Sequence, residues 1–155
     1  IVDLCRGEGS LRYVECGVIA PPAAAPFSER LRAIAAGLRE VVGDLGPAVA
    51  AVEAVFVHRS PSAALKLGQA RGVALLCAAE AGLEVVEYTP ARVKQAVTGH
   101  GRADKRQVQE MVRVLMNLKR LPRPDAADAL AVAICHAFAS RTALRIALAS
   151  QGGSP

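Results

Sequence analysis

Two aspartates, Asp125 and Asp128, stand three residues apart in the run Pro124-Asp125-Ala126-Ala127-Asp128-Ala129-Leu130. On a helix that spacing puts both on one face, with Cβ atoms roughly 5–6 Å apart. Carboxylates that close repel each other unless something positive sits between them, and a divalent cation is the usual answer. Hard oxygen donors of this kind select Mg²⁺ or Mn²⁺. Two such ions about 3.5–4 Å apart can activate a water and stabilise the leaving oxygen of a phosphodiester. A third acid, Glu53, stands near the C-terminal end of the apolar run Ala48–Val55. In open α/β sheets ligands gather outside the carboxyl ends of strands, which is where Glu53 falls. If the helix bearing the aspartates packs on that strand, three carboxylates converge. A blander account stands beside this one. Asp125 after a proline can cap a helix, acids in a first turn suit the helix dipole, and a glutamate at a strand end can simply reach water.

The charge distribution favours a polyanionic partner. The chain carries a formal net charge of +5. Tyr88 to Arg123 holds nine Lys and Arg against two Asp and Glu, a local net of +7, so the remainder carries −2. A basic segment just upstream of an acid pair points first to nucleic acid, and otherwise to a solvated helix face. Lys94 and Lys105 flank Gly99-His100-Gly101, beside Arg92, Arg102 and Arg106, and cations so placed can contact phosphates. Phe56, in the segment Phe56-Val57-His58-Arg59-Ser60 just beyond Glu53, can stack on an unpaired base, worth roughly 1–3 kcal/mol. Core packing explains a single Phe equally well. Arg59 beside it is a further candidate DNA contact. The three histidines show no metal spacing, and His136, among apolar neighbours, reads as a satisfied core histidine. No GxxxxGK loop is present, so nucleotide hydrolysis has no support.

The elements that must hold these residues can be read from periodicity and breakers. Ile1–Leu4 and Leu11–Ile19 read as strands joined by the turn Arg6-Gly7-Glu8-Gly9-Ser10. Ser28 is expected to cap a helix running to about Leu45, where Gly46-Pro47 ends it. Ala48–Val55 reads as a buried strand, and Ser60-Pro61-Ser62 starts a helix to about Ala81. Glu84–Tyr88 is a strand, Thr89-Pro90 opens a short helix, and Asp104 caps another to about Met116. The last helix spans about Asp125 to Ala149. The order predicts an α/β fold with a mixed sheet and helices on both faces. One domain is expected over residues 1–150, with a loose tail at 151–155.

Bulk properties narrow the class. A hydrophobic content of 52% in 155 residues suits a globular domain with a sizeable core, not a disordered chain. No uninterrupted apolar run reaches the roughly 18–20 residues of a membrane helix, so no membrane is expected. Cys5, Cys16, Cys77 and Cys135 show no CxxC pairing and read as reduced thiols, which makes the cytoplasm the expected location.

Several blocks resemble the RuvC Holliday junction resolvases. They are Ala64-Leu65-Lys66-Leu67-Gly68-Gln69-Ala70-Arg71-Gly72-Val73, Val93-Lys94-Gln95, Gly101-Arg102-Ala103-Asp104-Lys105 and Asp125-Ala126-Ala127-Asp128-Ala129-Leu130-Ala131. Their order and spacing fit the family over nearly the whole chain. The resemblance implies a ribonuclease-H-like fold, a homodimer, and Mg²⁺-dependent paired nicking of four-way DNA junctions, with branch-migration proteins as partners. Mn²⁺ is expected to substitute for Mg²⁺. By position Glu53 matches the family's second catalytic acid, and Asp125 and Asp128 the third and fourth. Lys94 and Lys105 match its catalytic lysines, and Phe56 its junction-contacting aromatic. The helix from Ser62 to Ala81 would form much of the dimer interface. The family's first catalytic aspartate lies on its first strand in an Asp-Pro-Gly motif that is absent here. The chain opens Ile1-Val2-Asp3, as though mid-strand, so a longer protein is expected, with this version catalytically weak or dead. A non-catalytic junction-binding module and a nuclease acting on RNA or RNA–DNA hybrids are the rival readings.

Overall fold

The computed structural model describes residues 1–4, 10–54 and 60–151. It divides into two compact units, one formed by Ile1–Cys16 and Tyr88–Pro155, the other by Gly17–Glu87.

The first unit is built on its last helix. Strands β1 (Val2–Leu4) and β2 (Leu11–Tyr13) pair antiparallel in the register Val2↔Tyr13, Asp3↔Arg12 and Leu4↔Leu11. An Arg12–Asp3 ion pair at 2.8 Å crosses the ladder at its middle rung. The second strand is therefore shorter than the expected Leu11–Ile19. Past Tyr13 the Val14 and Glu15 amides donate hydrogen bonds to the Ile1 carbonyl, and the chain then runs on with no strand neighbour among the described residues.

Helix α3 (Pro90–Thr98) begins as its sequence dictates. The Thr89 side chain accepts from the Arg92 amide at 3.3 Å, and Pro90 occupies the first helical position, where no amide is missed. It ends on Gly99 with φ +85°, a left-handed conformation that glycine adopts without a Cβ penalty. Helix α4 (Lys105–Leu115) starts with a capping box. Asp104 accepts from the Gln107 amide, and the Gln107 side chain accepts from the Asp104 amide, both at 2.9 Å.

Helix α5 (Pro124–Gln151) packs against α3, α4 and β1. Ala126, Ala127, Leu130, Ala131, Ile134 and Cys135 are buried, as are Val93 and Val97 of α3 and Val108 and Val112 of α4. The small alanines at its start let the helices approach closely. By length and composition alone Pro124–Ala147 is long and apolar enough to cross a membrane, which counting uninterrupted apolar runs did not reveal. Here its apolar face is the core of the unit.

In the second unit, α1 (Phe27–Leu45) packs on α2 (Pro61–Glu80), and β3 (Val49–Glu53) pairs with β4, which spans Glu84–Tyr88. Ser28 is not the cap of α1. The helix starts two residues earlier than a Ser28 cap would place it, with Pro26 at the cap position and no side-chain cap bond, so Ser28 lies inside the first turn. Ser60 does cap α2, accepting from the Ala63 amide at 3.3 Å. Among the described residues the strands form two two-stranded sheets, β1–β2 and β3–β4.

Ile134 is fully buried among α5's neighbours. We expect Ile134→Ala to lower the unfolding free energy by about 2–5 kcal/mol in urea denaturation. A loss under about 1 kcal/mol would mean that the site collapses freely and α5 is not the core.

Candidate functional site

Asp125 and Asp128 lie in the first two turns of α5, and both are exposed. Their exposure follows from what lies between and after them, since Ala126, Ala127 and Leu130 take the buried face. The helix begins at Pro124, so Asp125 is its second residue and not its cap. Its side chain makes no hydrogen bond or ion pair among the described residues. The capping account thus fails for Asp125, while the favourable dipole interaction remains.

A cation from a different element meets this pair. Lys105 Nζ donates to Asp128 Oδ2 at 3.4 Å across a sequence separation of 23. The two side chains are 74% and 50% exposed, so water screens the attraction. Lys105 is the first residue of α4, followed by Arg106, and no acid lies in that first turn. Cations at the positive end of a helix dipole are locally unfavourable by some 0.3–1 kcal/mol each. A placement that works against the helix that carries it marks a position held for another purpose.

The other basic candidates belong to the same unit. Lys94 is half-buried on α3 and has no ion pair among the described residues. Arg102 is exposed in the loop between α3 and α4. Arg106 is exposed and reaches Glu110 only at 3.9 Å, and Glu110 also takes the Arg113 Nε at 3.1 Å. Gly101 lets the loop pass close to α3, because a Cβ there would meet the Ala91 carbonyl oxygen at 3.2 Å.

Glu53 is the last residue of β3 and is exposed, in the unit formed by Gly17–Glu87. Phe56 and Arg59 lie outside the described residues. Among the described residues no group of three or more His, Cys, Asp or Glu side chains gathers to hold a metal ion. What the structure brings together is Asp125, Asp128 and Lys105.

Both ring nitrogens of His136 are engaged, as its sequence context predicts. Nδ1 is 3.0 Å from the Tyr88 hydroxyl and Nε2 is 3.1 Å from the Ser140 hydroxyl. The Tyr88 and His136 rings meet edge to face at 6.0 Å. Next to it, burial pushes the Cys135 thiol up from its ordinary range, with smaller opposing effects from Arg92, whose carbonyl accepts a weak bond from its Sγ at 3.9 Å. The Ser140 contact was legible as an i, i+4 spacing, but the Tyr88 contact, 48 residues away, was not.

The family model described as crossover junction endodeoxyribonuclease RuvC matches residues 3–136. A crossover junction endodeoxyribonuclease RuvC of Rubrobacter xylanophilus is 55% identical over 138 residues, which cover 88% of this chain and 77% of that protein. One from Chloroflexus aurantiacus is 52% identical over 142 residues, 91% of this chain and 87% of its own length. The structure of Thermus thermophilus RuvC in complex with Holliday junction substrate superposes with a TM-score of 0.84 at 40% identity, covering 92% of this chain and 86% of that one.

Two small terms oppose each other at Lys105. Removing it loses an exposed pair worth about 0–1 kcal/mol and relieves a dipole clash of similar size. Lys105→Ala should therefore leave thermal stability unchanged within about 0.5 kcal/mol. A larger loss in a thermal melt would make Lys105 a structural residue.

Proposed function

The chain belongs to the crossover junction endodeoxyribonuclease RuvC family, and on that premise we propose which of its residues do the work. The family consists of metal-dependent nucleases, and this protein is an endonuclease that resolves Holliday junctions. Its fold is that of the ribonuclease-H-like resolvases. The observation that supports the residue assignment is the meeting of Lys105 with Asp128, which puts a mobile cation beside an exposed acid pair.

The donor set fits a hard divalent cation. Asp125 and Asp128 offer carboxylate oxygens on one exposed helix face. The two aspartates would hold Mg²⁺, with Mn²⁺ able to substitute, and Glu53 is a further carboxylate of the same hard-donor kind at the end of β3. When bound, such an ion neutralises charge on the phosphodiester and acidifies a water. The protein's own groups do the rest. Lys105, on a flexible stem and largely exposed, turns from Asp128 to a phosphate oxygen. Lys94 serves the same phosphate from α3. Arg102 and Arg106 hold the sugar–phosphate backbone of an arm, a contact blind to sequence and weakened by salt. Phe56 stacks on a base at the crossover, and Arg59 contacts the strand beside it.

The working form in this reading is a homodimer, because a four-way junction offers two equivalent cuts to a two-fold symmetric enzyme. Helix α2 supports it. Leu65, Gly68, Gly72 and Leu76 recur at helical spacing along one exposed stripe, and a Cβ at either glycine would meet nothing within 4 Å. Leu65 and Leu76 are 65% and 54% exposed, which is unusual for leucines of this size at one face. Branch-migration proteins of the same pathway are the expected further partners.

Two measurements test these assignments. Asp128→Asn should slow Mg²⁺-dependent nicking of a synthetic four-way junction by roughly 10²–10³-fold, the scale of losing one transition-state-stabilising group. Its junction affinity without divalent ions should stay within threefold, and nicking at the normal rate would remove Asp128 from the site. Leu76→Glu should shift the protein from dimer to monomer in sedimentation velocity, and an unchanged dimer would place the interface elsewhere.

A further inference from the structure

The side chains of Tyr88, His136 and Ser140 form a relay that ties the start of α3 to α5. Tyr88 is the residue before the Thr89 cap of α3, and it is buried. A neutral imidazole carries one donor and one acceptor, and each hydroxyl can play either part. Both bonds are therefore satisfied together in either tautomer. The Arg92 guanidinium carbon lies 5.9 Å from the Tyr88 ring centre, and the Cys135 thiol points at the Arg92 carbonyl. Neighbouring residues of α5 thus grip both the residue preceding α3 and its first turn.

The grip has a place in the site. Lys94 is two residues beyond Arg92 on α3, and His136 is eleven residues beyond Asp125 on α5. Eleven residues is close to three helical turns, so His136 lies on the same side of α5 as Asp125, about 16 Å along the axis. That is too far to act on a ligand of the aspartates. Buried apolar side chains on the two helices, Val93 and Val97 on α3 and Leu130 and Ile134 on α5, attract without direction. Hydrogen bonds demand an angle and a length. Small alanines and valines permit the helices to slide, and the relay, with the weaker Cys135–Arg92 bond, is a directional element that sets where they stop.

We propose that His136 is a positioning residue, bridging Tyr88 and Ser140 so that Lys94 is held in fixed register with Asp125 and Asp128. The inference rests on the assignment of Lys94 and the two aspartates to the cleavage site. A satisfied histidine with a merely structural role would protect the fold and leave the rate alone. A positioning role changes the cleavage step while substrate binding, made by exposed cations elsewhere, stays the same.

Three variants separate these outcomes. Tyr88→Phe removes one hydroxyl. His136→Gln places an amide where Nε2 stood and loses the Tyr88 bond. His136→Asn places an amide where Nδ1 stood and keeps it. Single-turnover cleavage of a four-way junction at saturating Mg²⁺ should slow about tenfold in Tyr88→Phe and His136→Gln, since small misplacements of reacting groups are costly. Junction affinity measured without divalent ions should stay within twofold. His136→Asn should keep the parent rate within twofold, and the double variant Tyr88→Phe/His136→Gln should be no slower than either single one. A full rate in Tyr88→Phe, equal losses of rate and affinity, or no rescue by a folded His136→Asn would overturn the proposal. Hydrogen exchange gives an independent reading. Amides of residues 90–98 should exchange several-fold faster in Tyr88→Phe, and unchanged exchange would also overturn it. If the parent protein nicks junctions too slowly for the variants to be ranked, the exchange experiment still decides whether the relay fixes α3.

Discussion

The burial of one face of α5 is the constraint on which the rest depends. Ala127, Leu130 and Ile134 are almost wholly removed from water, and Asp125 and Asp128 stand on what is left of the same turns. Rotating the helix by one residue would carry a carboxylate into the apolar layer, at a cost of several kcal/mol per unpaired ion. The acids are thus aimed by what they cannot tolerate. Alanines at the start of the helix add closeness, since a bulkier residue at Ala126 or Ala127 would push α5 off its neighbours and take both aspartates with it.

Electrostatics follows from that geometry. The acid pair creates a local field that repels itself and attracts cations, and the segment before it is strongly basic. The fold does not cancel these charges in buried pairs. Among the described residues its ion pairs are exposed or half-exposed, including Lys105–Asp128 and Arg39–Glu80. Exposed pairs contribute little to stability but stay free to exchange partners, which suits a surface that must accept a polyanion and release it.

Much of this was legible because it is local. Thr89-Pro90, Ser60-Pro61 and Asp104 with Gln107 are starts of helices written within four residues, and each appears where its side chains dictate. The acid pair was legible for the same reason, being a spacing on one helix. Where a feature depends on a distant partner, the residues alone do not hold it. The second strand stops at Tyr13 because pairing requires a neighbour, not because Val14–Ile19 lack strand character. Ser28 lost its expected role because the helix begins two residues earlier, with Pro26 at the cap and Phe27 as its first residue. The Lys105–Asp128 meeting and the Tyr88–His136 bond join residues 23 and 48 apart, and no pattern in either segment announces the other. The two assignments on Phe56 and Arg59 fall outside the described residues.

The capping box at the start of α4 has a kinetic consequence. Asp104 and Gln107 lock each other's backbone amides, and Lys105 hangs from the peptide between them. The main chain under this ammonium is already ordered, so docking a phosphate immobilises only a four-carbon stem, about 2 kcal/mol of rotamer entropy at most. Tethered this way, the charge has a high effective concentration at every point its stem can sweep and almost none beyond. Handover between a carboxylate and a phosphate then becomes a matter of side-chain rotation on the picosecond-to-nanosecond scale, far faster than any step that moves a helix or a strand of DNA.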